Sequence, residues 1–240
     1  MEFTYHAYRE LIRLLKDGGY VFTDYHTYAD HPKCVIMRHD IDNDLEQAAK
    51  MAEIEYAEGI RSTYFMLLRT DFYNPASAKS QKLIQKILSC GHEIGLHFDE
   101  VAYEQEDMDV AAAVKAEADI LSGICGCDIT TVSMHRPSRK TLEANLQIPG
   151  YINSYGKTFF NDFKYLSDSR RNWREPVMDI VRSGQYDRLH ILTHAFWYHP
   201  ENRSISETVS AFVLSGNRVR YDMMSENIRD IDEIMKPIGE

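Results

Sequence analysis

Hydrophobic positions along the chain follow two different periods. Short and almost continuous apolar runs of strand length are separated by longer segments in which apolar residues recur at helical spacing. The predicted strands are 34–37, 60–67, 93–97, 129–134 and 189–193, with two further short strands at 151–152 and 163–166. The predicted helices are 3–16, 44–58, 78–88, 108–121, 176–181, 204–214 and 227–235. Strands and helices therefore alternate along most of the chain.

This alternation indicates parallel strands joined by helical crossovers. About seven such strands in 240 residues fit a barrel better than an open sheet with a second domain. We therefore predict an α/β fold, a single-domain distorted (β/α) barrel that occupies residues 1–240. The residues that carry chemistry lie within 33–200, and the helical segments 3–17 and 204–236 are expected to pack on this barrel.

Composition narrows the range of partners. The chain has 27 Lys and Arg against 37 Asp and Glu, a formal net charge of −10, which argues against nucleic acid as a partner because phosphate contact needs a basic face. No apolar run approaches the ~20 residues of a membrane span, and the charged N-terminal residues do not resemble a secretory signal. Cys125 and Cys127 alone are a weak signal for a metal or redox pair, so we expect a reduced, cytoplasmic chain.

Residues with acid, base or metal-binding side chains follow five of the predicted strands. In chain order these are Asp40 and Asp42, His97 and Asp99, His135 and Arg136, Asp168, and His194. Because the C-terminal ends of parallel strands share one face in α/β folds, and that face holds the active site, the sequence predicts that these side chains form one site.

The spacing of these residues indicates metal chemistry. Asp40 and Asp42 are two residues apart, so an extended chain places both carboxylates on one side, where a cation offsets their repulsion. The alternative is a turn or capping role, which Asn43 and Asp44 already supply. His97 suits a metal ligand, since imidazole and carboxylate groups both bind Zn²⁺ and similar ions.

Three further assignments follow from side-chain chemistry. Arg136 is expected to hold a carboxylate, Asp40, in a fork-like pair, the alternative being a surface salt bridge. His194 is the candidate general acid, because the reference pKa of histidine lies near neutrality. Trp173 and Trp197 are candidates for stacking on a sugar, although aromatic clusters more often belong to a core. An anionic sugar would need Arg136 and the basic patch that begins at Arg170.

These motifs resemble the polysaccharide deacetylase family, the NodB homology domain of carbohydrate esterase family 4, over about residues 33–200. The pair Asp40-Ile41-Asp42 is similar to the first family motif, in which one Asp is the base and the other binds the metal. The segment 91–97 resembles the second motif, which ends in a metal-binding His, and Arg136-Pro137 the third. The segment 168–173 resembles the fourth motif, and 192–194 the fifth, whose His is the general acid. The segments 38–42, 135–137 and 167–169 are similar to those of a divergent branch of the family that is associated with surface-polysaccharide biosynthesis.

The sequence departs from the family pattern at two places. The second metal-binding His of the family lies four residues after the first, where this chain has Val101, which cannot bind a metal. A third ligand beside Asp42 and His97 must come from His135, Asp99 or Glu100, and we predict His135, with Asp99 as the closest alternative. The motif around Asp168 is also one residue longer than usual before its Trp.

The resemblance implies a metal-dependent hydrolase that removes an N-acyl group from a sugar or sugar-containing precursor. Zn²⁺ is the expected ion, with Co²⁺, Mn²⁺, Ni²⁺ and Fe²⁺ as alternatives. Asp40 is the expected base, with Arg136 orienting it, and Asp168 is expected to orient His194. Two other functions stay open: hydrolysis of a non-sugar amide of the ureide or cyclic imide type, and a non-catalytic carbohydrate-binding role after loss of a metal ligand. The sequence does not indicate an oligomeric state.

Overall fold

The computed structural model describes residues 1–103 and 108–237. Its strands are β1 (Val21–Thr23), β2 (Cys34–Ile41), β3 (Thr63–Leu67), β4 (Glu93–Asp99), β5 (Thr131–His135), β6 (Ile152–Asn153), β7 (Lys164–Ser167) and β8 (Arg188–Thr193). Its α-helices are α1 (Tyr5–Asp17), α2 (Leu45–Ala57), α3 (Ala78–Ser89), α4 (Val110–Cys125), α5 (Arg139–Glu143), α6 (Lys157–Asn161), α7 (Val177–Ser183), α8 (Ile205–Ser225) and α9 (Ile231–Ile234). None of the described helices is long and apolar enough to cross a membrane.

The strands form one parallel sheet in the order β6-β5-β4-β3-β2-β8-β7, which curls into a half-barrel. Strand β1, which the sequence analysis did not predict, pairs in parallel with the first residues of β2. The predicted α/β class and the predicted distorted barrel of about seven parallel strands are confirmed. Among the described residues no ladder joins β6 to β7, so the sheet is not closed by hydrogen bonds.

Strand β2 shows how the sheet is buried on both faces. All eight of its residues are buried, and successive side chains point to opposite faces. Cys34 and Ile36 belong to a small core cluster inside the curl, whereas Val35 and Met37 belong to the larger cluster between sheet and helices. The same alternation therefore places Arg38 and Asp40 on the inner face of the sheet and His39 on the outer face.

The small core cluster inside the curl depends on the close packing of Phe65 against Gly95. Phe65 of β3 fills the curl and packs against Tyr25 at a ring-centroid distance of 5.9 Å. A Cβ added at Gly95 of β4 would lie 2.5 Å from the Phe65 ring and 2.7 Å from Thr131 Oγ1. Only glycine leaves room here for the ring, which accounts for Gly95 in a strand whose other residues carry side chains.

The chain divides into two compact units, Met1–Pro200 and Glu201–Glu240. The first contains the whole sheet, and helix α1 contributes Tyr8, Leu11 and Ile12 to its larger core cluster. The second contains α8 and α9, and a capping box formed by Ser204 and Glu207 begins α8. Helix α8 runs eleven residues beyond the predicted end at 214, through Gly216. The packing of residues 204–236 on the barrel, and with it the single domain, stays a prediction.

His190 predicts a pH-dependent contribution to stability. It is fully buried on the inner face of β8, with its Nε2 2.8 Å from the Tyr25 hydroxyl and its Nδ1 3.2 Å from the carbonyl oxygen of Phe159. Burial and the positive charge of Arg38 hold the pKa of His190 well below its ordinary value. The folded chain therefore keeps this side chain neutral, while the unfolded chain protonates it below about pH 6.5. The stabilisation is present above that pH and is lost as the pH falls below it.

We expect His190→Gln to flatten this pH dependence. Between about pH 7.5 and about pH 5.5 the variant should lose about 1.4 kcal/mol less free energy of unfolding than the unsubstituted protein. Urea denaturation at both pH values, with a chelator present, measures the difference. His6→Gln at an exposed position is the control and should keep the original pH dependence. Equal pH dependence in His190→Gln and His6→Gln would contradict the assignment.

Candidate metal and catalytic site

Parallel pairing brings the C-terminal ends of the strands to one edge of the sheet. His97 of β4 pairs in register with Leu67 at the end of β3, and Asp99 pairs with His135 at the end of β5. Asp42 lies one residue beyond β2, and His194 one residue beyond β8, which pairs with β2. The predicted site residues therefore converge because each lies near or just beyond the C-terminal end of a strand of the same sheet.

Asp42, His97 and His135 form a compact group of potential metal ligands. Asp42 Oδ1 lies 3.2 Å from His97 Nε2 and 3.3 Å from His135 Nδ1, and the two nitrogens are 3.1 Å apart. Among the described residues this is the one group of three or more His, Cys, Asp or Glu side chains whose ligand atoms lie within 4.8 Å of one another. It is the set that the sequence analysis selected, with His135 in place of the family's second His.

The geometry of this group fits a divalent cation. Tetrahedral ligands with bonds of about 2.0–2.1 Å to Zn²⁺ are about 3.3 Å apart, close to the spacings observed here. Asp42 Oδ1 is buried and accepts no well-formed hydrogen bond, although both imidazole nitrogens lie near it. His97 Nδ1 lies 3.3 Å from the carbonyl oxygen of Ser133, which orients the ring and leaves Nε2 facing the group. Burial opposes the Asp42 carboxylate, but His135 and His97 outweigh it and hold the pKa of Asp42 well below its usual range.

Asp40 is held by Arg38, not by Arg136 as the sequence analysis predicted. Arg38 Nη2 donates to Asp40 Oδ2 at 2.9 Å and Nη1 donates to Ser154 Oγ at 2.7 Å, and both members of the ion pair are buried. The physical reason is strand parity, because residues 38 and 40 share the inner face of β2. The period-2 spacing that linked Asp40 to Asp42 could also have identified Arg38. Asp40 Oδ1 is buried without a hydrogen-bond partner, so one carboxylate oxygen is anchored and the other is available.

Arg136 instead pairs with Asp99 at the end of the neighbouring strand β4. Its backbone adopts a left-handed conformation, with a φ of 50°, directly after β5. Asp99 also accepts a hydrogen bond from the backbone N–H of Val101 at 3.2 Å. The carboxylate of Asp99, the alternative third ligand, is therefore already bound outside the metal-ligand group. Glu100, the other candidate, likewise accepts hydrogen bonds from Ser138 and Thr141.

His194 and Asp168 form a second hydrogen-bonded unit beside the metal-ligand group. His194 Nδ1 donates to Asp168 Oδ1 at 2.6 Å, and the hydroxyl of Tyr198 donates to Asp168 Oδ2 at 3.1 Å. The other ring nitrogen, Nε2, lies 3.8 Å from Asp42 Oδ2. Burial disfavours the imidazolium, but the charge and hydrogen bond of Asp168, with Asp42 and Asp40 beyond, raise the pKa of His194 to about 9. His194 therefore holds a proton at neutral pH and presents Nε2 to the site.

A buried network on the outer face of the sheet was not anticipated from the sequence. Glu55 of α2 is fully buried and accepts a hydrogen bond from His39 Nε2 at 2.9 Å, while His39 Nδ1 lies 2.7 Å from Thr193 Oγ1. Burial opposes the carboxylate, but His39 and the other donors lower the pKa of Glu55 to about 2. The other hydrogen-bond donors to Glu55, each at 2.6 Å, are hydroxyl groups: Tyr8, Ser62 and Tyr64. His39 and Thr193 directly precede Asp40 and His194, so this network fixes β2 against β8 next to the site.

The side chains of the three residues predicted to contact substrate form no hydrogen bond or ion pair with the side chains of the metal-ligand group or of His194 among the described residues. Trp173 and Trp197 are half-buried and pack against the larger core cluster, and Arg170 is exposed with a φ of 60°. Their role in substrate binding stays a prediction.

Metal titration tests the ligand set. We expect His135→Gln to weaken binding of Zn²⁺ by at least about 10–100-fold, because one of three protein ligands is removed. Isothermal titration of metal-free protein measures the dissociation constant. Asp99→Asn is the matched control and should bind Zn²⁺ like the unsubstituted protein. The reverse ranking of these two variants would make Asp99 the third ligand.

We expect Arg38 and Arg136 to contribute differently to the free energy of unfolding. Arg38→Met should lower the free energy of unfolding by about 3–5 kcal/mol, because it leaves the buried Asp40 carboxylate uncompensated. Arg136→Gln should cost less than about 1 kcal/mol, because the Arg136 side chain is 61% exposed. Chemical denaturation of both variants measures the difference, and similar losses would contradict the assignment of Arg38 as the partner of Asp40.

The chain is similar to several solved structures at low sequence identity. No protein-family model matches the chain, and a search of curated proteins finds no significant match. A family 4 carbohydrate esterase from Bacillus anthracis is 14% identical, with 91% of this chain and 86% of that chain covered and a TM-score of 0.44. A peptidoglycan deacetylase from Bacillus subtilis is 14% identical, with 82% and 96% covered and a TM-score of 0.46. A pseudoenzyme of the same esterase family from Bacillus anthracis is 13% identical, with 77% of this chain covered and a TM-score of 0.43; the chain spans 61% of that protein's length.

Proposed function

We propose that this chain is a metal-dependent hydrolase that removes an N-acyl group, an N-acetyl group in the first instance, from a sugar or sugar-containing precursor of surface polysaccharide. One observation carries the proposal. The Asp40 carboxylate has its Oδ2 3.6 Å from His97 Nε2 and its Oδ1 without a hydrogen-bond partner, and a proton-bearing imidazole nitrogen, His194 Nε2, lies 3.8 Å from Asp42 Oδ2. Both groups therefore lie beside the group of Asp42, His97 and His135. Amide hydrolysis needs a base, an acid and an electrophile together at one point.

Asp42, His97 and His135 would hold the cation. Two imidazoles and one carboxylate are a donor set suited to Zn²⁺, and Co²⁺, Mn²⁺, Ni²⁺ and Fe²⁺ are the alternatives. When bound, such an ion supplies Lewis acidity that activates water and polarises an acyl carbonyl. Three protein ligands leave coordination positions for water and substrate, as in catalytic zinc sites.

Two side chains would move the protons. Asp40, anchored through Oδ2 by Arg38, accepts the proton of the attacking water at Oδ1. His194, anchored through Nδ1 by Asp168, donates the proton on Nε2 to the nitrogen of the leaving amine when the C–N bond breaks. The products are a carboxylic acid and a free amine, and the proton taken up by Asp40 balances the proton given by His194.

The sugar assignment rests on the motif resemblance in the sequence. Trp173 and Trp197 would supply aromatic surface for a pyranose ring, and Arg170 would meet an anionic substituent such as a phosphate. A panel of N-acetylated and N-formylated nucleotide sugars and oligosaccharides, with a ureide and a cyclic imide included, decides between sugar and non-sugar amides. Release of free amine or of carboxylic acid is the readout.

The roles of the two proton-transfer groups are tested on the best substrate of that panel. We expect Asp40→Asn and His194→Gln each to lower kcat by about 10²–10⁴-fold, the usual contribution of a positioned acid or base. Zn²⁺ content should stay unchanged in both variants, because neither residue belongs to the proposed ligand set. His6→Gln is the activity control. Full activity in both Asp40→Asn and His194→Gln would disprove the mechanism, and protein that never binds a metal ion would disprove the proposed activity.

A further inference from the structure

Two cysteines separated by one glycine lie at the C-terminal end of α4. Cys125 is the last residue of the helix and is 1% exposed, Gly126 ends the helix, and Cys127 follows in a half-buried position. Gly126 adopts a left-handed conformation with φ of 70° and ψ of 27°, which glycine favours at a helix C-terminus. This turn brings the two cysteines back toward each other.

The turn places the cysteine backbones at disulfide distance. The separation of two Cα atoms that flank a residue depends on the φ and ψ of that residue alone, when both peptide bonds are trans. A helical residue of either hand separates them by about 5.4 Å, from the rise and radius of the helix. Disulfides occur at Cα separations of about 4.4–6.8 Å, so the conformation of Gly126 meets the Cα distance that a bond between Cys125 and Cys127 requires.

The two thiols already interact with each other. Each thiol changes the pKa of the other: the interaction with Cys125 lowers the pKa of Cys127, and the interaction with Cys127, together with burial, raises the pKa of Cys125. Cys127 is therefore both the more exposed thiol and the one with more thiolate character, the two properties that favour attack on a disulfide. The other two cysteines differ, because burial raises the pKa of both Cys34 and Cys90.

We propose that Cys125 and Cys127 are a redox-active dithiol pair that is oxidised reversibly to an intramolecular disulfide by low-molecular-weight disulfides such as oxidised glutathione. Among the described residues the pair belongs to no group of three metal-ligating side chains, which favours thiol–disulfide chemistry over metal binding. The inference is independent of the proposed hydrolase activity.

The reaction balances in two exchange steps. The Cys127 thiolate attacks one sulfur of oxidised glutathione, forming a mixed disulfide and releasing one glutathione thiolate. The Cys125 thiol loses its proton to solvent and attacks the Cys127 sulfur, forming the Cys125–Cys127 bond and releasing the second glutathione. The protein dithiol gives up two electrons and the oxidant gains them, so one disulfide is exchanged for another.

The experiment exposes folded protein to glutathione buffers of graded redox potential, followed by acid quenching, alkylation of free thiols and peptide mass mapping. We expect the peptide that contains both cysteines to escape alkylation, to carry no glutathione and to recover both thiols in reducing buffer. Cys125→Ser should instead trap a stable glutathione adduct on Cys127, because no second thiol resolves it. Cys90→Ser is the control and should behave like the unsubstituted protein.

Three results would overturn the proposal. These are a stable glutathione adduct on Cys127 when Cys125 is present, free thiols at both positions in every buffer, and a disulfide that involves Cys34 or Cys90. Thermal unfolding of each variant checks that the protein is folded. Cys127→Ser is a second test, in which Cys125 should gain neither glutathione nor a disulfide.

Discussion

Buried charge around β2 is the constraint on which the rest of the site depends. Its eight residues are all buried, yet three consecutive positions, Arg38, His39 and Asp40, carry ionisable side chains. A buried charge without a partner costs several kcal/mol, so each of these groups must be paired. Strand alternation divides the task, because the pair of Arg38 and Asp40 is satisfied inside the curl, and His39 is satisfied by Glu55 on the helix side.

These two pairings position the ends of two neighbouring strands. The inner ion pair anchors one oxygen of Asp40, and the outer chain from Glu55 through His39 to Thr193 ties β2 to β8 one residue before Asp40 and His194. Asp168 then orients His194 from β7. The proposed base and acid are thus fixed by hydrogen bonds to groups that are themselves buried, which is the preorganisation that proton transfer requires.

Two expected roles are filled by other residues that are close in space. Val101 stands where the family has its second metal-binding His and is 59% exposed, whereas His135 on the adjacent strand β5 supplies an imidazole to the group. Arg136 turns to Asp99, whereas Arg38 pairs with Asp40 from the same strand. In the proposed site the donor types are therefore retained while their positions in the chain change, as expected when geometry rather than sequence position determines the chemistry.

The sequence by itself determined the class of fold and most of the strand-end residues. Alternation of apolar runs and helical periods specifies parallel strands, and parallel strands bring Asp42, His97, His135 and His194 to one edge whatever the details of packing. Only the tertiary structure decided the partners of charged side chains. Arg136 pairs with Asp99 on the neighbouring strand β4, and the burial of Glu55 depends on the face that α2 presents to the sheet. Both are long-range effects of packing, which local periodicity does not encode.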